Sequence, residues 1–234
     1  MAAATTDRPA RAALERYVVR LLERNAATNL TAARDAASVM EHVRDALGLA
    51  PYVRGPHVDI GSGGGFPAIP LAIATGYPMT LVESVAKKAG FLREIVAELG
   101  LRVAVVCARA EEAGRDPAYR ECYGSGTARA VGGVTTVLEL IVPLLAVGGV
   151  ALLQRGSLGS HERAATSDAA LVLGALWTAE YAVVDGAVSE RAPVETAGRR
   201  LLVVTKTTPT GPRFPRRAGI PAKRPLCIDA GSGP

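Results

Sequence analysis

The stretch that decides the fold is Asp59-Ile60-Gly61-Ser62-Gly63-Gly64-Gly65-Phe66-Pro67. It follows a short apolar strand pattern and precedes an apolar segment with helical spacing, so the glycines occupy a strand-to-helix turn. Glycine lets a ligand approach the backbone closely because it has no Cβ. A dinucleotide-binding fingerprint would place a further glycine at position 66, where this chain has Phe66. The GxGxG form is instead associated with sites for S-adenosylmethionine, which has no pyrophosphate.

The segments beyond this turn alternate between short apolar strands and amphipathic helices. Strands are predicted at 58–60, 79–82, 102–107, 150–154 and 201–207, and helices at 67–75, 86–99 and 134–145. Such alternation is typical of a parallel sheet with helices on both faces. The predicted fold is therefore α/β, a Rossmann-like doubly wound sheet whose ligands bind at the carboxyl edge of the strands.

An acidic residue, Glu83, ends the second predicted strand about 20 residues after the glycine turn. A carboxylate at that place is positioned to accept hydrogen bonds from ribose hydroxyls. An ordinary glycine turn is the plain alternative, because GxGxG on its own is a weak signal. Combined with Glu83 and the β/α alternation, the turn predicts a site for an adenosyl cofactor.

Two segments conflict with the structure expected around them. Tyr123-Gly-Ser-Gly-Thr127 lies where a fourth strand is expected, yet glycines disfavour a strand interior. Trp177 stands in an Ala- and Leu-rich segment that is predicted to be helical, and its indole is expected to pack rather than to stack on a base. The sequence therefore predicts a weakened strand in the first case and a packed helix in the second.

Composition places the chain among soluble globular proteins. Hydrophobic residues make up 49% of the 234 residues, and no apolar run reaches the roughly 18 residues that span a bilayer. The N-terminus has no apolar signal-peptide core, and the three cysteines form neither a CxxC pair nor a Cys/His cluster. We expect a cytoplasmic protein without a membrane segment or a metal site, and a monomer rather than an oligomer.

The net charge of +5 is distributed unevenly along the chain. Eight basic residues and no acid lie between Arg199 and Arg224, which leaves 19 basic and 22 acidic residues, a charge of −3, for the rest. Clustered charge of this kind attracts polyanions, although a solvated tail that aids solubility is the plain alternative. We expect three parts: an N-terminal helical extension at 1–50, a cofactor-binding domain at 51–208, and a basic, extended tail at 209–234.

Several further segments match one known family in the expected order along residues 14 to 226. They are Asn25-Ala-Ala-Thr-Asn29-Leu30-Thr31, Glu41-His42-Val43-Arg44-Asp45, the glycine turn continued to Pro70, Glu83-Ser84-Val85-Ala86-Lys87-Lys88, Arg109-Ala110-Glu111-Glu112, Thr127-Ala128-Arg129-Ala130-Val131, and Phe214-Pro-Arg-Arg-Ala-Gly-Ile-Pro-Ala-Lys-Arg-Pro225. In these segments the chain resembles the RsmG (GidB) family, methyltransferases that modify N7 of guanine 527 in 16S ribosomal RNA.

The resemblance implies the class I fold of S-adenosylmethionine-dependent methyltransferases with a short N-terminal helical extension. It also implies methyl transfer from S-adenosylmethionine to that guanine of the small ribosomal subunit. The residues implied to bind the cofactor are Gly61, Gly63, Gly65, Phe66, Glu83, Ser84, Val85, Ala110, Glu111 and Arg129. Arg109 and Arg200 match family arginines suited to positioning the substrate. The residues expected to contact RNA are Arg199, Arg200, Arg216, Arg217, Lys223 and Arg224.

This reaction requires no covalent bond between the protein and its substrate. Guanine N7 carries a lone pair and no proton, so its methylation needs alignment rather than a nucleophile or an obligatory base. No cysteine follows a proline and no Asn/Asp-Pro-Pro-aromatic motif occurs, which argues against cytosine-C5 and exocyclic-amine methylation. Asp45 and Glu111 are candidates to stabilise the cationic product, and no catalytic acid or base is predicted. Two alternatives stay open: a catalytically weak RNA-binding module of the same fold, and a related methyltransferase with another substrate.

Overall fold

The computed structural model describes residues 8–129, 131–191 and 198–226. Within these ranges one eight-stranded sheet is built from β1 (His57–Ile60), β2 (Met79–Val82), β3 (Val103–Val106), β4 (Tyr123–Ala128), β5 (Leu145–Arg155), β6 (Ala175–Val184), β7 (Ala187–Ser189) and β8 (Arg199–Lys206). The helices are α1 (Arg8–Thr28), α2 (Ala36–Leu47), α3 (Ala68–Thr75), α4 (Ala86–Glu98), α5 (Ala110–Ala113), α6 (Val134–Ile141), α7 (Ser160–Val172) and α8 (Ile220–Lys223). Residues 1–7 of the predicted extension and 227–234 of the predicted tail lie outside the described residues.

The strand order of the sheet is β3-β2-β1-β4-β5-β8-β6-β7. Neighbours among β1 to β5 pair in parallel, β8 is antiparallel to both β5 and β6, and β7 forms an antiparallel edge with β6. The chain leaves β1 toward β2 and later returns to β4 on the other side of β1, which creates a topological switch point at their carboxyl ends. The predicted doubly wound α/β fold is confirmed, and the glycine turn lies at the switch point.

Helices cover both faces of the sheet, each over its own hydrophobic core. One buried cluster includes Leu21 of α1, Ile69 of α3 and Leu92 of α4. The other includes Leu138 of α6 and Ala170 of α7. Burial of apolar surface on both faces is the main source of stability in such a fold. The carboxyl edge of the strands is the place left for a ligand.

The predicted N-terminal extension packs directly onto this body. Leu14, Val18 and Leu21 of α1 are buried in the same cluster as residues of α3 and α4. On the solvent side, Arg16 and Arg20 of α1 form ion pairs with Glu98 of α4 at 2.5 and 2.9 Å. The part of the extension that the structure describes therefore belongs to the main core. No helix in the described ranges is long and apolar enough to cross a membrane.

The glycine-rich segment after Cys122 forms a complete strand, β4, in contrast to the weakened strand expected. The hydroxyl of Ser125 donates to the carbonyl of Arg54 at 2.5 Å and accepts from the amide of Arg54 at 2.8 Å. A Cβ at Gly126 would lie 2.8 Å from Cδ1 of Ile141, because α6 packs closely on the strand. Hydrogen bonds and close helix packing thus replace the β-branched side chains that a strand usually carries.

We expect Gly126→Ala to lower the free energy of unfolding by about 1–3 kcal/mol, because the added methyl overpacks against Ile141. Gly90→Ala is the matched change: Gly90 lies inside α4, a Cβ there meets no atom within 4 Å, and alanine should stabilise the helix by about 1 kcal/mol. Urea unfolding measures whether the free energy of unfolding falls in Gly126→Ala and rises in Gly90→Ala. Two stabilising changes would contradict close packing of α6 on β4.

The prediction that Trp177 lies in a helix is wrong. Trp177 belongs to strand β6, at a bulge where its indole N–H donates to the carbonyl of Ala179 at 2.9 Å. The guanidinium carbon of Arg163 lies 5.3 Å from the centroid of its ring, in a cation–π contact. The segment has the composition of a helix, but pairing with β8 decides its conformation. Pairing within the sheet therefore outweighs the local helix propensity of this segment.

The prediction of an extended tail is also wrong for the described residues 209–226. Phe214 and Pro221 are buried, and the tail contains the short helix α8. The guanidinium of Arg120 donates to the carbonyls of Thr210 and Phe214 at 2.6 and 2.8 Å. The proline- and glycine-rich composition suggested an open chain, but these long-range contacts fold the segment against α5 and α6.

Candidate active site

The turn between β1 and α3 has a backbone that glycine adopts far more easily than other residues. Gly61, Gly63 and Gly65 have φ values of +67°, +54° and +100°. A Cβ at Gly61 would lie 2.7 Å from a methyl carbon of Val131. The turn therefore needs glycine both for its backbone path and for the close approach of the loop that follows β4.

The first helix and the turn after it support the glycine turn. Tyr17 of α1 is buried, and its hydroxyl donates to the carbonyl of Gly64 at 2.7 Å. The side-chain oxygen of Asn25 accepts from the amides of Leu30 and Thr31 at 2.7 and 3.0 Å, which shapes the Asn-Leu-Thr turn. A Cβ at Gly64 would lie 3.0 Å from the carbonyl oxygen of Leu30. This segment of the family resemblance therefore acts as a scaffold for the turn.

Glu83 follows β2 directly, as predicted. Its buried carboxylate accepts hydrogen bonds from the amides of Gly63 and Val85, both at 2.8 Å. Each carboxylate oxygen has a second lone pair. Glu83 can therefore hold the glycine turn in place and still accept hydrogen bonds from a ribose.

A cavity of about 120 Å³ opens beside the carboxyl ends of β1 and β2. It brings together four predicted cofactor residues and the predicted substrate arginine: Gly61, Ser84, Ala110, Glu111 and Arg109. Mostly apolar walls with a few polar groups suit a flat heterocycle such as adenine. The structure places the other predicted cofactor residues around the turn and not among the residues that line this cavity: Gly63, Gly65, Phe66, Glu83, Val85 and Arg129.

Eight of the residues that line this cavity were not predicted as site residues, and these include four from two later segments of the chain. Val131 and Thr136 follow β4, and Gly219 and Ala222 come from the C-terminal segment. Val131, Gly219 and Ala222 lie inside segments of the family resemblance, which was a signal that could have identified them. The basic charge of the C-terminal segment pointed instead to RNA contact.

Phe66 lies at the centre of a small cluster on the other side of the turn. Its ring centroid is 5.4 Å from that of Tyr17 and 5.6 Å from that of His42, both edge-on. The guanidinium carbon of Arg129 lies 5.1 Å from the Phe66 centroid. Burial lowers the pKa of Arg129 below its usual value, and burial together with Arg129 lowers the pKa of His42. The cluster thus connects the glycine turn with α1, α2 and the end of β4.

Asp59, at the start of the motif, is the centre of a buried polar network. Thr127 donates its hydroxyl to Oδ1 of Asp59 at 2.7 Å, and Oδ2 of Asp59 is buried without a hydrogen-bond partner in the described part of the chain. Burial raises the pKa of Asp59 to about 7. The ring nitrogens of His57 lie 2.8 and 2.9 Å from the hydroxyl oxygens of Ser125 and Thr127, and burial lowers its pKa to about 3.

A second and larger cavity, of about 670 Å³, lies between α2 and the β6–β7 hairpin. Acidic and basic side chains line this cavity: Glu41, His42, Arg44, Asp45, Asp185 and Arg199. Arg199 pairs with the buried carboxylate of Asp45 at 2.6 Å. Because His42 also contacts Phe66, this cavity adjoins the end of the glycine turn, whereas the first cavity is lined by Gly61 at its start.

Arg200, predicted to contact RNA or the substrate, is buried in strand β8. Its side chain is 8% exposed and pairs with Glu180 at 2.9 Å, while Arg163 pairs with the same carboxylate at 2.7 Å. A neighbouring acid on β6 thus neutralises this arginine. Because β8 pairs with β6, Arg200 lies beside Glu180 and not at an exposed surface.

The other predicted RNA residues divide into two groups. Arg216 pairs with the buried carboxylate of Glu139 at 2.6 Å, so this residue is also engaged inside the protein. The exposed members are Arg199, Arg217, Lys223 and Arg224. In the described ranges no group of three or more His, Cys, Asp or Glu residues could hold a metal ion.

Solved structures with the same architecture share little sequence with this chain. The O-methyltransferase from Bacillus cereus in complex with SAH has a TM-score of 0.56 at 17% identity, over 82% of this chain and 91% of that one. A branched-chain polyamine synthase mutein from Thermus thermophilus has a TM-score of 0.58 at 15% identity, over 85% and 64%. Since a methyltransferase and a polyamine synthase both match, this likeness confirms the class I fold alone.

Sequence comparison gives the family. The profile of the GidB family, described as rRNA small subunit methyltransferase G, matches residues 10–184. The ribosomal RNA small subunit methyltransferase G of Chloroflexus aggregans is 43% identical over 224 residues, 92% of this chain and 90% of the relative. The protein of the same name from Desulfitobacterium hafniense is 40% identical over 214 residues, 90% of this chain and 87% of the relative. This chain therefore belongs to the GidB family of small-subunit ribosomal RNA methyltransferases, the family that its motifs resemble.

Proposed function

We propose that this protein transfers a methyl group from S-adenosylmethionine to N7 of guanine 527 in the 16S rRNA of the small ribosomal subunit. The observation that carries the proposal is that a cavity adjoins each end of the glycine turn. Gly61 lines the smaller one, and Phe66 contacts His42 of the larger one. Membership of the family supplies the class of reaction. We also propose that the protein acts as a monomer in the cytoplasm.

The residues of the smaller cavity fit an adenosyl cofactor. Glu111 and Ser84 are among the polar residues in a wall that also has apolar members, and Glu83 keeps lone pairs for ribose hydroxyls. The unpartnered Oδ2 of Asp59 is matched to a cation such as the α-ammonium group of S-adenosylmethionine. When bound, S-adenosylmethionine supplies an electrophilic methyl group on its sulfonium.

The larger cavity is our candidate for the acceptor nucleotide. Arg44 and Arg199 are suited to RNA phosphates, because guanidinium groups bind phosphate through two hydrogen bonds. Glu41 and Asp45 offer carboxylates to the N–H groups of guanine and to the positive charge that N7 methylation leaves on the base. Since guanine N7 has no proton to remove, these residues need only bind and orient the base.

The direct test is methylation of 30S particles and of 16S rRNA that lack the modification, with radiolabelled S-adenosylmethionine. We expect label in 16S rRNA as 7-methylguanosine at position 527, identified by nuclease digestion and mass spectrometry. Absence of label from both substrates would contradict the proposed reaction. Label at another nucleotide would contradict the proposed position while leaving methyl transfer in place.

We expect Arg44→Ala to weaken binding of a 16S rRNA fragment a few-fold and to reduce the slope of log affinity against log salt by about 1, as loss of one phosphate contact does. Affinity for S-adenosylhomocysteine should stay the same. Arg34→Ala is the control, because Arg34 is exposed and is not among the residues that line the cavity. Filter binding between 50 and 200 mM salt, a range of about fourfold, measures both. Equal losses in the two variants would count against this cavity as the RNA site.

A further inference from the structure

The C-terminal segment from 209 to 226 is attached to the body by contacts that its composition did not suggest. Arg120 donates to the carbonyls of Thr210 and Phe214, and Arg115 donates to the carbonyl of Pro215 at 2.8 Å. Phe214 is 4% exposed. Side chains of the body thus satisfy the backbone of a segment that has little regular structure of its own.

Arg216 provides the strongest of these attachments. The side chain of Glu139 is 0% exposed, in the middle of α6. It accepts hydrogen bonds from the backbone amide of Arg216 at 2.8 Å, from Nε at 2.8 Å and from Nη2 at 2.6 Å. A buried carboxylate needs this compensation. The position of residue 216 is therefore fixed by the interior of the protein.

The next residues of the segment reach the smaller cavity. The amide of Gly219 donates to Oε1 of Glu111 at 2.8 Å, and the hydroxyl of Thr136 donates to the carbonyl of Pro221 at 3.0 Å. Gly219 and Ala222 line the cavity together with Gly61, Ser84 and Ala110. One side of the cavity consequently exists only while the C-terminal segment is docked.

We propose that the C-terminal segment is a wall of the adenosine pocket, and that the Arg216–Glu139 pair is the positioning element that holds it there. The proposal rests on the proposed function in assigning the smaller cavity to the adenosyl cofactor. Arg216 acts through Gly219 on Glu111, which orients a carboxylate at the pocket and excludes water from that side. Arg217 and Lys223, which are exposed, keep their charges available for RNA.

The test compares two neighbouring arginines by calorimetry in the full-length protein. We expect Arg216→Ala to weaken binding of S-adenosylhomocysteine at least fivefold, about 1 kcal/mol at 1.4 kcal/mol per tenfold change. Affinity for 5′-methylthioadenosine should fall by the same factor, since the wall lies at the adenosine end. Arg217→Ala removes the same charge from an exposed position and should change both affinities less than about twofold. Equal affinities in the two variants would overturn the proposal.

A second measurement needs no substitution, so it holds even if Arg216→Ala fails to fold. Binding and docking are reciprocally coupled, so S-adenosylhomocysteine should slow tryptic cleavage after Arg217 at least fivefold in the native protein. Cleavage after exposed Arg191 is the internal reference. An unchanged rate of cleavage after Arg217 with saturating ligand would overturn the proposal that the C-terminal segment is a wall of the pocket. Failure of the native protein to bind S-adenosylhomocysteine would instead contradict the proposed function.

Discussion

Gly65→Ala is expected to lower the free energy of unfolding by about 2–5 kcal/mol. Two costs combine at this position. The φ of +100° disfavours any side chain, at about 1–2 kcal/mol or more. The new Cβ would also lie 2.6 Å from Cγ1 of Ile69 and 3.2 Å from the hydroxyl oxygen of Tyr17, and overpacking costs about 1–3 kcal/mol. The hydroxyl of Tyr17 also anchors Gly64, so the whole turn should shift.

Gly63→Ala is the matched control for this prediction. Gly63 has a φ of +54°, but a Cβ there meets no atom closer than 3.8 Å. Only the backbone cost remains, about 1 kcal/mol. Urea denaturation measures both losses, and calorimetry with S-adenosylhomocysteine measures the accompanying fall in affinity for Gly65→Ala. If the two alanine variants lose the same stability, packing around Gly65 has no role of its own.

The order of strands and helices could be predicted from local pattern because each β/α unit carries its own apolar periodicity. Two segments of the sheet that departed from prediction are decided by contacts far away in sequence. β4 needs Gly126 because Ile141 packs on it, and β6 contains Trp177 because the segment pairs with β8. Neither partner is visible in the segment itself, so propensity alone could not settle either one.

The difference between local pattern and long-range contact also separates the predicted part of the candidate site from the part that was missed. Gly61 follows β1 directly and Ser84 lies two residues after the end of β2, so strand positions bring them to one edge. The wall formed by Gly219 depends on a hydrogen bond to Glu111, 108 residues earlier in the chain. No spacing rule connects two residues so far apart.

Net charge was the least specific of the sequence signals. Within the basic cluster, Arg200 pairs with Glu180, Lys206 with Glu121, and Arg216 with Glu139. Each partner lies in an earlier segment of the chain, so a count along the sequence shows a surplus that the fold partly removes. Arg199, which is exposed at the larger cavity, also pairs with an acid, Asp45, so the exposed cations that remain lie in the C-terminal segment.

Asp59→Asn is expected to make the protein more stable than the native chain at alkaline pH. The pKa of Asp59 is about 7 in the folded protein against 3.8 for a free aspartate, so between these values the folded state binds more protons than the unfolded state. Stability from this group therefore falls as the pH rises from about 4 to 7 and stays low above 7. Asparagine carries no such charge and still accepts the hydrogen bond from Thr127.

Between pH 5.5 and pH 8 the variant should gain roughly 2 kcal/mol on the native protein at 1.36 kcal/mol per pKa unit, or about 4–8 °C in Tm. His57, whose pKa of about 3 gives the opposite slope below its unfolded value, is present in both proteins and cancels in the difference. Thermal unfolding across this pH range measures the gain. Asp35→Asn is the control, because hydrogen bonds from Ser38 lower the pKa of Asp35 and no gain at pH 8 is expected. Parallel Tm–pH curves for the native protein and Asp59→Asn would contradict the raised pKa.

The gain in stability should come with a loss of ligand affinity. We assign the unpartnered Oδ2 of Asp59 to the α-ammonium group of the cofactor, and a charge-assisted hydrogen bond contributes about 1.5–3 kcal/mol. Affinity for S-adenosylhomocysteine should therefore fall about tenfold or more in Asp59→Asn. Affinity for 5′-methylthioadenosine, which lacks the ammonium group, should not change. Equal losses for the two ligands would show that Asp59 acts on the turn as a whole and not on the ammonium group, because only the ammonium end distinguishes them.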